Sequence, residues 1–470
     1  MKKVVFFNPP LSSEYTKLGN ITTVLPPIGI CQLASVVRNR NYDASIVDAS
    51  ALSLSAEQSA RKILDQSPDY VGITSTTMSI FNAVAVADAI KRENPSQKII
   101  LGGSHVTAAP IDTMERFSSF DVGVYAEGEL TLVELLSHLD KKKNLGRVKG
   151  LVLKKGKKAV MTEKRPYITD LDSLPFPAYD LLPDLKKFYQ PIADKVYRAP
   201  TTIVVTSRGC PGRCVFCEKS VFGNVCRSNS TDYVLRLVKH LRDNFGINSL
   251  IFDEDNFLTF RRRLVEICNR MIDEKIDMPW SCSGRVDMVD ADLLRLMKRA
   301  GCWQIAYGVE SGSQKMLDLM AKGVTVEQNE KAILLTREAG IQAKASFMIG
   351  NLGENKDTLE ETRKFVLRVP LNDLNLCRFS PLPGTKAWLM APEYGRFDPD
   401  WKKINIFQSN NFLPKDLTDE ELDYYYRKIY RSFYLRPRIM LNYVKKMKDP
   451  AQRSNIIRSG MSFLKFAFKK

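Results

Sequence analysis

Short apolar runs alternate with helix-patterned stretches twice along the 470 residues, once before residue 145 and again from residue 201. In the first half the runs are Lys3–Phe7, Ser45–Val47, Tyr70–Thr74, Ile99–Gly102 and Asp121–Tyr125. Helical stretches such as Ile28–Asn39 and Ile80–Arg92 lie between them. Strands that read apolar throughout and are separated by helices require a parallel sheet covered on both faces. Residues 1–145 are therefore expected to form an α/β, doubly wound domain. Such sheets take ligands at the carboxyl ends of their strands, where Thr74–Thr77, Gly102–His105 and Glu127–Glu129 fall. No G-x-G-x-x-G fingerprint follows the first strand. The pattern alone gives a nucleotide-like or cofactor-binding domain without a clear ligand.

The second alternation places strands at 202–206, 249–253, 279–283, 304–309, 343–349 and 375–379. Helices are expected near 231–244, 261–274, 290–299, 326–339 and 356–367. Six β/α units make a partial TIM-type barrel over residues 201–400, with active residues where strands end and loops begin. Between the two domains, residues 146–200 form a connector with a basic hairpin (148–153 and 157–162) and a proline-broken stretch, 171–182. That stretch reads equally as an ordered strap or a plain linker.

The loop after the first barrel strand, Ser207–Cys217, holds Cys210, Cys214 and Cys217 at C-x3-C-x2-C spacing. Gly209, Pro211 and Gly212 make it a loop rather than an apolar face. Three thiolates do not close a tetrahedral zinc site, which takes four ligands. They suit a 4Fe–4S cluster with one iron left open. The alternatives are three ordinary buried cysteines or zinc with a fourth ligand from elsewhere. The other strand ends carry Asp253-Glu254-Asp255, Gly284-Arg285, Tyr307–Gly312, Met348–Glu354 and Arg378–Thr385. Glycines beside polar groups fit a zwitterionic cofactor with amine, carboxylate and ribose. Arg285 suits a carboxylate, because a guanidinium fork matches one bidentately; a salt bridge to the 253–255 acids is the alternative. Cys226 and Cys282 are available as extra thiols, though core or loop positions account for both.

The cysteine loop resembles the cluster loop of the radical S-adenosylmethionine (radical SAM) superfamily, where an aromatic residue precedes the last cysteine as Phe216 does here. G-V-E-S-G at 308–312 resembles that family's fourth-strand motif, which implies Glu310 and Ser311 near the ribose and methionine groups of SAM. Gly350–Glu354 resembles its fifth-strand element beside the adenine. Leu352 stands where proline is usual, which implies a looser loop. Phe216 and Arg285 complete the implied SAM site, with Gly350 and Glu354.

The N-terminal domain resembles the cobalamin-binding domain that precedes the barrel in one large subfamily. The carriers are Pro26-Pro27-x-Gly29, Gly102–Thr107 and Glu127-Gly128-Glu129. The resemblance implies cobalamin contacts at Pro27, Gly29, Thr74, Ser75, Gly102, Gly103, His105, Glu127 and Gly128. The D-x-H-x-x-G motif that ligates cobalt in many cobalamin proteins is absent, and the chain has only three histidines. His105 is thus expected to line the pocket or cap the sheet edge rather than to ligate cobalt.

The implied chemistry is reductive cleavage of SAM to a 5′-deoxyadenosyl radical, hydrogen abstraction from an unactivated carbon, and methylation from cobalamin. Radical cyclisation, rearrangement or deoxygenation is the second reading. A non-catalytic iron–sulfur or cobalamin sensor is the third. An electron donor such as flavodoxin or ferredoxin is implied.

Net charge is +17, yet residues 427–470 hold thirteen Lys/Arg against one Asp and so carry twelve of those charges. This argues against a nucleic-acid groove in the body and for a basic tail that meets something anionic. Residues 401–470 are expected to be a helical extension. Its aromatic stretch, Leu422–Tyr434, resembles the tail of the branch with anaerobic magnesium-protoporphyrin ester cyclase and hopanoid-modifying enzymes. Asn455–Lys470 reads as a basic amphipathic helix, either adsorbed to an anionic membrane surface or docked on the protein. No secretory signal is read, and the nine cysteines show no regular pairing. The expected compartment is a reducing cytoplasm, with peripheral placement on the inner face of the membrane and a lipid-like substrate.

Overall fold

The computed structural model describes residues 1–11, 24–189, 191, 195–406, 411–446, 456–457 and 460–461. The chain divides into two compact units. The first contains the initial strand, Val24–Gln190 and Glu218–Asn229; the second contains Pro191–Cys217 and Ser230 onward.

In the first unit the strands are β1 Lys3–Asn8, β2 Asp43–Asp48, β3 Tyr70–Thr74, β4 Lys98–Gly102, β5 Val122–Val124, β6 Leu151–Lys155 and β7 Lys158–Met161. They lie in the order β2-β1-β3-β4-β5-β6-β7. The first five are parallel, and β6 and β7 add antiparallel. Val4 to Phe7 are at most 1% exposed, as expected of a strand covered on both faces. The order reverses between β1 and β3, so the carboxyl ends at Asn8 and Thr74 flank the switch point where such sheets bind ligands.

The basic hairpin is not a free connector. Its first strand pairs with β5, Val122 opposite Leu153, and extends the sheet. Nor is the stretch behind it a plain linker. Ile168, Leu171 and Leu174 are buried against Val36. The Ala178 N–H donates to Cys31 O at 3.0 Å, and Gln32 Nε2 donates to Pro175 O at 2.8 Å. Tyr189 Oη donates to Asp48 Oδ2 at 2.7 Å, while Asn8 Nδ2 donates to Oδ1 at 2.9 Å. Two prolines prevent a helix here, but side chains and backbone amides tie the segment down as an ordered strap.

The second unit is a six-stranded sheet in plain chain order: Thr201–Val204, Ser249–Phe252, Trp280–Gly284, Cys302–Glu310, Gln342–Ile349 and Asp373–Arg378. All neighbouring pairs are parallel, so the sheet is the expected partial barrel. Local sequence sets its helices. Ser230 caps the helix Thr231–Phe245, and Gly246 ends it in the left-handed region at φ 60°. Thr325 with Gln328, and Asn355 with Thr358, form reciprocal caps at two later helices.

An open six-stranded sheet leaves edges, and unpaired edge carbonyls need partners. At the Asp373–Arg378 edge they are met by tyrosines of the helix Asp419–Tyr434. Tyr426 and Tyr430 donate to Leu376 O at 3.0 and 3.3 Å, and Tyr434 donates to Leu374 O at 3.1 Å. Arg378 pairs with Asp423 and lies over the Tyr426 ring. The aromatic periodicity of this helix is therefore that of an edge cover. The amphipathic segment 455–470 falls outside the described residues except for 456–457 and 460–461. Among the described residues no helix is long and apolar enough to cross a membrane.

Candidate functional site

The cysteine loop is held from beneath by the acids of the next strand end. Glu254 is buried; its Oε1 accepts the Thr206 N–H at 2.5 Å and the Thr206 hydroxyl at 2.6 Å, and its Oε2 accepts from Ser207. Asp255 Oδ2 accepts the Gly209 N–H at 3.1 Å. Arg263 Nη1 donates to Thr206 O at 2.8 Å. The acids at 254–255 thus bind the start of the loop and not Arg285. The expected alternative partner for that arginine is replaced by Asp287, at 3.0 Å from Nε.

Cys210 is half-buried, Cys214 buried and Cys217 exposed. A Cβ placed on Gly212 would sit 3.2 Å from Arg285 Nη1, 3.5 Å from Cys210 Sγ and 3.8 Å from Cys214 Sγ. Gly212 therefore lies between two thiols and a guanidinium. A hydrogen bond with Cys217, and then the charges of Lys322 and Arg285, lower Cys214 to about 6, while the same hydrogen bond pushes Cys217 up. Thiolate is the ligating form, so this setting fits a metal cluster held by sulfur. Among the described residues no group of three His, Cys, Asp or Glu is drawn in tightly enough to hold a metal ion; the loop brings its thiols together in pairs.

Beside the loop is a buried ion pair that sequence reasoning missed. Lys322 Nζ lies 2.8 Å from Glu310 Oε1 and 6.0 Å from the centre of the Phe216 ring. Arg285 Nη2 donates to Lys322 O at 2.9 Å. Glu310 closes its strand with φ at 66°, a region that costs a non-glycine residue of order 1–3 kcal/mol and is held by its surroundings. Gly308 makes room for the pair: a Cβ there would meet Glu310 Oε1 at 2.5 Å and Lys322 Nζ at 2.9 Å. Phe216, Arg285 and Glu310 are thus brought together around Lys322. In the sequence Lys322 is one lysine in a short link between helices, and only its position before Gly323 marks it.

Ser311 and the fifth-strand loop are held by contacts of their own. Ser311 is fully buried, with Oγ 2.9 Å from Thr362 Oγ1 and accepting the Ser313 N–H at 3.1 Å. Gly350 takes φ 75°. Glu354 is fully buried and its Oε2 accepts the Asn351 N–H at 3.0 Å, closing the turn. Leu352 is 1% exposed and packs with Val215, Phe379 and Phe412. Burial replaces the missing proline as the restraint, so the looser loop expected from Leu352 is not what forms. Glu354 Oε1 and Asn351 Nδ2 are buried without partners among the described residues, and burial pushes Glu354 up to about 8.

In the first unit, the Gly102-Gly103 turn presses against the end of β3. Gly103 takes φ 98°, and a Cβ on it would lie 2.5 Å from Ser75 O and 2.8 Å from Thr74 Oγ1. The buried Ser75 Oγ has no partner among the described residues. This contact with the β3 end is what requires glycine at 103, and the unsatisfied Ser75 hydroxyl at the carboxyl edge is the polar group left for a ligand to meet. His105 is fully buried, its Nδ1 3.1 Å from Thr77 Oγ1. Burial, and then Arg116, lower it to about 3, so the imidazole is neutral. Pro27 precedes the helix Ile28–Arg38, and Gly29 is exposed on its first turn.

Gly128 precedes the helix Glu129–Asp140 and lies against Leu33. Glu127 does something the sequence did not reveal. Its carboxylate accepts from Arg227 Nη1 at 2.8 and 2.9 Å and from the Ile168 N–H at 2.8 Å. Arg227 also covers the Tyr167 ring at 4.7 Å. The carboxylate expected to face a cofactor is committed to an arginine ten residues past Cys217. Cys282 and Cys302 are buried barrel thiols, with Cys302 Sγ donating to Gln304 O at 3.7 Å, while Cys226 Sγ lies 3.8 Å from Asn224 O.

The sequence model of the Radical SAM superfamily matches residues 204–366, and that of the B12 binding domain matches residues 17–136. A protein of Pyrococcus horikoshii described as an uncharacterized methyltransferase is 34% identical over 93% of this chain and 94% of its own length. The anaerobic magnesium-protoporphyrin IX monomethyl ester cyclase of Cereibacter sphaeroides is 29% identical over 92% of this chain and 70% of its own. Among solved structures, the cobalamin-dependent S-adenosylmethionine radical enzyme OxsB superimposes with a TM-score of 0.77 at 18% identity, over 99% of this chain and 72% of that one.

Proposed function

The chain belongs to the radical SAM superfamily and carries a B12-binding domain ahead of its radical SAM domain; from that premise we propose that it methylates an unactivated carbon of an apolar or natural-product substrate. It is an enzyme whose cofactors are a 4Fe–4S cluster, SAM and cobalamin. When bound, the cluster supplies an electron for reductive cleavage of SAM, and cobalamin supplies the methyl group.

The chain's own part is binding, orientation and exclusion of water. Cys210, Cys214 and Cys217 hold the cluster. Lys322 and Arg285 offer positive charge for the SAM carboxylate, Glu310 accepts from its ribose or amine, and Phe216 walls the site. The loop Gly350–Glu354 backs the adenine, with Ser311 fixing the neighbouring turn. Gly102, Gly103, Thr74 and Ser75 line the cobalamin edge, with Pro27, Gly29 and Gly128 at the helix starts and His105 beneath. The observation that carries this reading is the convergence of Phe216, Arg285, Glu310 and Lys322 beside the cysteine loop. Methyl transfer is supported by the near full-length likeness to the Pyrococcus protein. The likeness to the cyclase supports a second reading, radical cyclisation without methyl transfer. A flavodoxin- or ferredoxin-type protein is the electron donor in either case. The basic charge of the C-terminal sequence supports contact with an anionic membrane surface, in keeping with a lipid-like substrate.

The test uses anaerobically reconstituted full-length protein with cobalamin, SAM, reductant and a membrane-lipid extract. 5′-Deoxyadenosine and S-adenosylhomocysteine are quantified by mass spectrometry. Both are expected to rise together, because one SAM makes the radical and another recharges the cobalamin. Deoxyadenosine alone moves the assignment to radical cyclisation or rearrangement. Neither product, with an intact cluster in the spectrum, sinks both.

A further inference from the structure

Arg337 of the helix Val326–Glu338, Arg436 of the link after Tyr434 and Arg438 of the helix that follows gather around residues 367–372. Arg438 Nη2 donates to Leu371 O at 2.8 Å, Arg337 Nη1 to Asn372 Oδ1 at 3.0 Å, and Arg436 Nη1 to Leu367 O at 3.2 Å. Every one of these acceptors is neutral. Among the described residues none of the three arginines is paired with a carboxylate, and Arg436 Nη2 is buried with no partner. Partial burial, and after it the charge of Arg438, pull Arg436 below its usual value. Adjacent guanidinium groups of this kind are a ready receptor for phosphate oxygens.

The next helix, Pro437–Lys446, fixes what lies beside them. One face is anchored: Ile439 is fully buried, and Tyr443 Oη donates to Asp373 Oδ2 at 3.0 Å. The opposite face is thereby turned outward. Met440 is 52% exposed, Leu441 58% and Val444 59%. An apolar patch held outward by its own docking, next to unpaired arginines, is the pattern of an interfacial helix.

We propose that Arg337, Arg436 and Arg438, together with Met440, Leu441 and Val444, form a docking surface for a bilayer of anionic phospholipid. The arginines take headgroup phosphates, and the three apolar side chains enter the acyl boundary. This rests on the membrane-surface reading above and moves its contact from the terminal segment to a surface built on the barrel. Charge complementarity selects the occupant: among the described residues the three guanidinium groups at the polar end of the patch have no carboxylate partner, and the sequence of residues 427–470 carries twelve excess positive charges.

The test is flotation of full-length reconstituted protein with phosphatidylcholine vesicles, with and without phosphatidylglycerol. Arg337→Gln with Arg438→Gln, both exposed, is expected to weaken binding to the anionic vesicles roughly thirtyfold while SAM cleavage in solution is unchanged. Leu441→Ser with Val444→Ser is expected to weaken it further and to leave the salt dependence in place. Undiminished binding by the arginine variant overturns the proposal. Equal competition by inorganic phosphate also overturns it, in favour of a free-phosphate site. Loss of binding on deletion of residues 453–470, with the arginine variant unaffected, overturns this surface and leaves the membrane reading standing. Failure of the unaltered protein to float with either vesicle sinks both.

Discussion

Arg227 Nη1 lies 2.8 and 2.9 Å from the two carboxylate oxygens of Glu127, and both side chains are buried. The pair joins residues one hundred apart in the chain. It clamps the segment Glu218–Asn229, which begins immediately after Cys217, into the first compact unit. Breaking a buried pair by removing one partner strands the other charge. Glu127→Gln and Arg227→Met are each expected to cost about 3–5 kcal/mol. Urea denaturation checks this, and the double variant is expected to lose less than the two losses combined.

Lys322→Met removes one of the two cations that lower Cys214 and leaves Glu310 buried without its ion-pair partner. SAM binding to cluster-loaded protein is expected to weaken about tenfold or more, equivalent to at least about 1.4 kcal/mol. Calorimetric titration reads the affinity. Iron content is expected to match the unaltered protein, because Lys322 holds no sulfur. An unchanged SAM affinity removes Lys322 from the site.

Glu354 has a folded value of about 8 against an ordinary 4.5, with burial as the cause. The folded state therefore favours the protonated acid. Its contribution is fully present below the ordinary value and is lost as pH rises through about 8. The unaltered protein is expected to lose a few kcal/mol more than Glu354→Gln between about pH 5 and about pH 9. Paired urea titrations at the two pH values measure the difference, and parallel curves contradict it.

Tyr434 Oη donates to Asp373 Oδ1 at 2.6 Å as well as to Leu374 O. A hydrogen bond to a buried carboxylate is worth about 1.5–3 kcal/mol. Tyr434→Phe is expected to destabilise by that much, read as a lower Tm. Tyr424, 48% exposed on the same helix, is the control: its phenylalanine variant is expected to stay within about 0.5 kcal/mol.

Much of the fold was legible in short windows. Apolar runs gave all six barrel strands, and the side-chain caps at Ser230, Thr325 and Asn355 lie within three residues of what they cap. The C-x3-C-x2-C loop and the glycines at strand ends were equally local. The hairpin was legible as a hairpin, but its pairing with β5 was not, because alternation identifies strands without saying which sheet accepts them. The tyrosines of the helix Asp419–Tyr434 read as an aromatic stripe because the edge that needs them lies about fifty residues earlier in the sequence.

The sequence by itself determined element types, the doubly wound and partial-barrel pattern, the cysteine loop and the family likeness, because each depends on residues within a few positions of one another. The tertiary structure decided which charges meet: Glu127 with Arg227, Glu310 with Lys322, Glu254 with the start of the cysteine loop, and three arginines with no acid among the described residues. A charge buried far from its partner in sequence leaves no local trace. Only folding, by removing water from around it, determines whether it is neutralised, paired or left to bind something else.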